Sequence, residues 1–195
     1  GSELRKRIKA AIIDIQRDEM YFASDNRTFE FVEKYPLNTD EVLVNEKISA
    51  MNNGLIDVHY VPEMADHIIE LSIDEGLSNK DLSLVEKISA LDTKDPLKFR
   101  KFASRYCNYH HPDSFVVQSE IAEKIMQLFV IDPDTPEGLP QDLLPYQNFK
   151  LVKDSFIEEY EFKAFNYYEM EKCLWLKSSQ IIAYFTDLSI REGLK

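Results

Sequence analysis

The side chains of this chain that could do chemistry crowd into one stretch, Phe102-Ala103-Ser104-Arg105-Tyr106-Cys107-Asn108-Tyr109-His110-His111-Pro112-Asp113. His110 and His111 come first, because imidazole is both a common metal ligand and a proton carrier near neutral pH. Adjacent histidines, however, point to different sides of a helix, and no third ligand stands at a metal-like spacing from them. They are expected to pack or to cap the helix end, with no metal. Just upstream, Lys94, Lys98, Arg100, Lys101 and Arg105 form a basic run that can face phosphates or serve as a solvated helix face. The candidate binding residues are therefore Lys98, Lys101, Arg105, His110 and His111. His59 and His67 stand alone and read as structural. No Walker loop, dinucleotide fingerprint, zincin motif, nucleophile elbow or zinc-cysteine pattern is present, and no cofactor is expected.

The aromatic run Phe162-Lys163-Ala164-Phe165-Asn166-Tyr167-Tyr168, with Trp175 and Tyr184, has the chemistry of a base-stacking surface. At helical spacing the same residues are expected to be core. Phe156-Ile157-Glu158-Glu159-Tyr160-Glu161 reads as an acidic, partly apolar face that repels nucleic acid or docks a basic partner, or is simply solvated.

These side chains need a scaffold, and the composition bounds it. The chain has 195 residues, enough for a real core, and only 5 glycines, which disfavours hairpin-rich β folds. A net charge of −12 argues against a broadly basic nucleic-acid surface. No apolar run approaches the length of a membrane span, and no membrane partner is expected. Cys107 and Cys173 lie in apolar surroundings at helical spacing and are expected to be buried and reduced, which implies a cytoplasmic protein. Gly1-Ser2, in place of an initiating Met, reads as the scar of a cleaved tag.

Apolar periodicity predicts an all-α fold. A helix is expected over residues 3–20 on Leu4, Ile8, Ala11, Ile12, Ile15 and Met20, followed by a turn at Asp25-Asn26-Arg27-Thr28. Thr39 or Asp40 can cap a helix that carries Val42, Leu43, Ile48 and Met51 and stops at Asn52-Asn53-Gly54. Val61-Pro62-Glu63 opens the next, with Met64, Ile68 and Leu71 on its apolar face and Gly76 as its end. Ser78 or Asn79 is expected to cap the helix of Leu84, Val85 and Ile88. Asp95-Pro96 should open the chemistry-bearing helix, with Phe99, Phe102, Ala103, Tyr106 and Cys107 on its buried side. A helix over about 117–130 follows, then an ordered proline-rich loop at 131–147 and two long helices at about 148–163 and 167–187. The helix of Phe102 and Tyr106 is expected to pack on the one carrying Leu174 and Trp175. Two domains are expected, an N-terminal helical arm at 1–38 and a helical domain at 39–195.

The stretch Phe102–Val117 resembles the pattern F-A-(S/T)-K-Y-C-x-(F/H)-H-x-P-x-x-(Y/F)-P-I-Y-D. That pattern belongs to bacterial proteins with the helical fold of 8-oxoguanine DNA glycosylases, the HhH-GPD superfamily. Lys47-Ile48-Ser49-Ala50-Met51-Asn52 is similar to their K-I-x-x-L-N, and Val61–Ile68 to V-x-x-M-A-x-H-I. Leu84-Val85-Glu86-Lys87-Ile88 and Glu169-Met170-Glu171-Lys172-Cys173-Leu174-Trp175 resemble two further segments, so the likeness runs in order over residues 40–180 or so.

In that superfamily a lysine attacks the sugar and an aspartate activates the attack. The resemblance places Arg105 at the lysine and Ser119 at the aspartate, and Glu171 stands where the family's L-D-K has its aspartate. Arginine cannot form an imine, and serine alone cannot act as a general base. Arg105 can instead bind phosphate or carboxylate or lie on a helix surface, and Ser119 suits a helix N-cap with Glu120 and Glu123 in the first turn. The expectation is a glycosylase-like domain that has lost catalysis and binds nucleic acid or protein. The alternatives are a divergent glycosylase or lyase in which Asp113 replaces the aspartate, and an acidic adaptor for basic proteins.

Overall fold

In a computed structural model the described residues are 6, 19–92, 94, 95, 98–163 and 165–192, with side chains described for residue 6 and within 25–187. The expected helix over 3–20 lies almost wholly outside them. The protein is all-α, with no strand among the described residues. Its helices are α1 (Glu19–Lys34), α2 (Glu41–Asn52), α3 (Val61–Glu70), α4 (Asp74–Ser78), α5 (Ser83–Ser89), α6 (Arg100–His110), α7 (Glu120–Ile131), α8 (Tyr146–Glu159) and α9 (Tyr167–Glu192). No helix among the described residues is long and apolar enough to cross a membrane. The structure divides at Gln118/Ser119, inside the span expected as one domain: Phe22–Gln118 forms one compact unit, and the segment from Ser119 onward belongs to another.

Local signals fix several helix ends. Asp40 caps α2 by accepting a hydrogen bond from Leu43 N at 2.9 Å, which satisfies one of the free N–H groups of the first turn. The same helix stops where Asn53 and Gly54 take positive φ, 42° and 77°. Pro62 enters the first turn of α3, where its missing N–H removes no intrahelical bond.

Four local expectations are corrected. Asp25–Thr28 is no turn but the interior of α1: Thr28 is buried, and the Tyr109 hydroxyl donates to Asp25 Oδ1 at 3.2 Å, so tertiary contact overrides local turn preference. Gly76 does not end α3, which stops at Glu70 ahead of Ser72 at φ 51°. Gly76 instead lies inside α4, where a Cβ would sit 3.0 Å from Leu84 Cδ1, so its bare Cα allows a close approach. Asp81, rather than Ser78 or Asn79, steadies the start of α5 by accepting from Ser83 N at 2.9 Å. The chemistry-bearing helix begins at Arg100, not at Asp95.

Within Phe22–Gln118, α2 packs on α3 and α6, and α5 on α6. Val44, Ile48 and Met51, Met64 and Ile68, Val85 and Ile88, and Phe102, Ala103, Tyr106 and Cys107 are all buried. From Ser119 onward, α7 packs on α8 and α9. There Phe129, Phe149, Phe156, Phe162 and Phe185 are buried, and the Phe129 and Phe156 rings meet edge to face with centroids 5.3 Å apart. The 132–145 loop is ordered by Asp142, whose side chain accepts from Leu144 N and whose carbonyl accepts from Asn148 Nδ2. The helix of Phe102 and that of Leu174 belong to different units. Leu174 is buried, but Trp175 is 58% exposed and is no core residue.

Cys107 and Cys173 are both free and buried, and burial pushes the Cys173 thiol up to about 12. Thiolate is the reactive form. A thiol reagent at neutral pH should therefore label both slowly in the native protein and rapidly after denaturation. Fast native labelling of either would contradict this packing.

Candidate functional site

The α6 helix and the turn after it hold most of the expected site residues, and the turn is built from the backbone up. His111 N donates to Cys107 O at 3.0 Å, Phe115 N returns to His111 O at 3.1 Å, and the buried Asn108 Nδ2 clamps Phe115 O at 2.6 Å. This chain reversal leaves His110 and His111 side by side at the wall of a cavity of about 420 Å³ within the Phe22–Gln118 unit. Phe29, Val32 and Leu77 supply apolar wall, and Glu33 and Asp74 add carboxylates. The His110 ring lies 5.2 Å from that of Tyr106, and its Nε2 is buried without a hydrogen-bond partner. Desolvation by burial, with Lys47 and His111 nearby, pushes the His110 pKa down to about 3, so the ring is neutral at physiological pH. His111 is also lowered, first by burial and then by Lys80. Among the described residues no group of three His, Cys, Asp or Glu could hold a metal ion.

Lys98 and Arg100 of the basic run are drawn into local contacts. Lys98 Nζ donates to the Tyr60 hydroxyl at 3.0 Å, lies 4.5 Å from the centre of that ring, and pairs with Asp92 at 3.6 Å. The Tyr60 contact comes first among the causes that raise its pKa. Arg100 is buried and reaches Glu86 at 3.9 Å. Lys101 and Arg105 lie half-buried along α6, and Asp113 is exposed in the turn beyond it. His67 is structural, its Nε2 lying 3.0 Å from Lys87 O, and His59 pairs at 2.8 Å with its neighbour Asp57.

Ser119, in the other unit, takes up the capping role. It accepts from Ala122 N at 3.1 Å and donates to Glu171 Oε1 in a short hydrogen bond. The second oxygen of Glu171 pairs with the buried Lys153 Nζ at 2.8 Å. Lys153 Nζ donates to the carboxylate, and an ammonium has no lone pair with which to take a proton from Ser119. This arrangement is a cap joined to a buried ion pair. Of the aromatic run, Phe162 and Tyr168 are buried, and the Tyr167 hydroxyl donates to Asp154 Oδ1 at 2.6 Å.

Two lysines escaped the sequence reading. Lys47 has no exposed surface, and its Nζ donates to Leu37 O at 2.9 Å and Asn38 Oδ1 at 3.0 Å. Burial lowers its pKa to about 8, with Asp74 opposing. Lys153 is equally buried. Both left a sequence signal, since each sits in the apolar stripe of its helix, Lys47 between Val44 and Met51 and Lys153 between Phe149 and Phe156.

Residues 7–114 match the HI_0787_N family, an N-terminal domain, and the match takes in His110 and His111. The chain is also similar to a protein of Haemophilus influenzae (strain Rd) described as "Uncharacterized protein", with 26% identity over 140 residues. The alignment covers 71% of this chain and 65% of that relative, so the chain spans less than two thirds of the relative's length. No solved structure matches the chain.

Two stability predictions follow from these groups. Replacing Glu171 by Gln takes the carboxylate from a buried ammonium, and urea denaturation should register a loss on the order of 3 kcal/mol. The second concerns pH. Below its ordinary pKa of 6.5 the unfolded His110 takes up a proton that the folded ring refuses until about pH 3. Stability should fall with acidification across that window, by up to about 1.4 kcal/mol for each pH unit. Lys47 acts with the same sign in a higher window: between about pH 8 and 10.5 the unfolded side chain keeps a proton that the folded one has released, so its contribution rises with pH. Denaturation curves of His110→Phe should show a shallower acid slope, and an unchanged slope would remove His110 as its source.

Proposed function

The chain belongs to the HI_0787_N family, and we propose that it is a non-catalytic interaction module on a helical scaffold of the HhH-GPD glycosylase type, docking a protein partner rather than processing DNA. Ser119 carries the reading. At the position where the resemblance calls for an activating aspartate stands a hydroxyl engaged as the N-cap of α7 and hydrogen-bonded to Glu171. Arg105, at the position of the attacking lysine, offers a guanidinium that cannot form an imine. The amine whose pKa is lowered furthest toward neutrality among those described above is Lys47, and it donates into Leu37 O and Asn38 Oδ1 with no exposed surface.

The partner class rests on charge. Phosphate neutralisation by free lysines and arginines supplies most DNA affinity. Here Lys98 and Arg100 of the basic run are offset by Asp92 and Glu86, and the chain carries a net charge of −12. A protein with a basic surface suits that field better than a polyanion.

The test is an assay of base release on a panel of modified-base duplexes, with borohydride trapping, for the wild type, Arg105→Ala, Lys47→Met and Asp113→Asn. No release, no trapped adduct and no DNA retention at physiological salt are expected. Release abolished by Asp113→Asn would instead establish a displaced-carboxylate enzyme, and an adduct mapped to Lys47 would establish a lysine nucleophile. DNA binding that weakens steeply with salt and is lost in Arg105→Ala would make this a nucleic-acid module.

A further inference from the structure

A buried polar atom without a partner forgoes roughly 1–3 kcal/mol of solvation, so native proteins contain few of them. His110 Nε2 is one, and His110 lines the cavity between α1, α4 and the end of α6 with the turn after it. The cavity is about 420 Å³, within the range of small-molecule sites, and its walls are mostly apolar with a few polar groups, as such sites require. Among the described residues that line it, Glu33 and Asp74 are acidic and none is lysine or arginine, while Lys47 stands near enough to His110 to help lower its pKa.

We propose that this cavity is a binding site for a small organic amine in its ammonium form, with an apolar body held against Phe29, Val32 and Leu77, its N–H donated to His110 Nε2, and its charge facing Glu33 and Asp74. The imidazole suits this task because it stays neutral across the physiological range and can therefore accept. Asp74 suits it because its carboxylate is already oriented, accepting from Asn38 N at 3.1 Å and from Asn38 Nδ2 at 2.7 Å. Tyr109 and Phe29, whose ring centroids lie 4.7 Å apart, add aromatic surface that favours a cation. An anionic ligand would meet two carboxylates and no lysine or arginine among the described residues of the wall. The inference stands independently of whether the module docks protein or DNA.

The experiment titrates the full chain with three probes of one shape and different charge: 2-phenylethylammonium, 2-phenylethanol and 3-phenylpropionate, at matched ionic strength. The readouts are the histidine ring resonances by NMR and thermal stability. The ammonium should shift the His110 resonances saturably and bind at least about tenfold tighter than the carboxylate. His110→Phe should abolish saturable binding. Glu33→Gln, an exposed change at the rim, should weaken the ammonium while leaving the alcohol unchanged. The assignment is overturned if no probe binds saturably, if the alcohol or carboxylate binds as tightly as the ammonium, or if folded His110→Phe and Glu33→Gln proteins both bind the ammonium like the wild type.

Discussion

Asn38 is the junction on which the Phe22–Gln118 unit depends. Its Oδ1 accepts from the Lys47 ammonium at 3.0 Å and the Tyr106 hydroxyl at 2.6 Å, and its Nδ2 donates to Asp74 Oδ1 and, more weakly, to Pro36 O. Its main-chain N–H donates to the same carboxylate. One buried amide thus ties the segment between α1 and α2 to α2 itself, to α4 and to α6, with every donor and acceptor of its side chain used. An ammonium without exposed surface is tolerable only because this set receives it. The clamp also fixes Leu37 and Asp74, two walls of the cavity, so the network that holds the unit together also sets the shape of its binding corner.

The segment from Ser119 onward repeats the device with other residues. Glu171 receives Lys153 on one oxygen and Ser119 on the other, joining α9 to α8 and to the start of α7. The hydroxyl that caps α7 is positioned by that carboxylate, so the cap and the ion pair stand or fall together. A carboxylate at position 119 in place of the serine would face Glu171 at hydrogen-bond distance, and like charges so close cannot both remain ionised.

What was legible in the sequence was local. The Asp40 cap, the Asn52-Asn53-Gly54 stop, the Pro62 start and the Ser119 cap each follow from a residue's own backbone preferences, and each is where the sequence puts it. The buried faces of α3 and α6 were largely readable, because apolar spacing reports burial without reference to what covers it, whereas on α2 Ile48 and Met51 are buried as expected but Val42 is 66% exposed. The failures share one cause, a partner distant in sequence. Asp25 stays helical with Tyr109 above it, Gly76 answers to Leu84, and Lys47 is buried against a residue nine positions earlier in the chain. The cavity could not be read at all, since its walls come from α1, α4 and the turn after α6.

The polar groups that hold each unit together contrast with the one at the cavity. Asn38, Lys47 and Glu171 are engaged by named partners, which is how buried polarity normally survives in a folded protein. His110 Nε2 lacks such a partner although it sits one helical turn beyond Tyr106, whose hydroxyl is fully committed to the Asn38 junction. An apolar residue at 110 would stack on Tyr106 without leaving a nitrogen unpaired, so stability alone does not account for a histidine there. Asn108 Oδ1 is also buried and unpaired, but its amide nitrogen holds the turn at Phe115 and the residue does not line the cavity. What distinguishes His110 is the coincidence of an unmet hydrogen bond with open volume whose wall also holds two carboxylates. That coincidence is the arrangement a ligand would complete, and a purely structural histidine has no need of it.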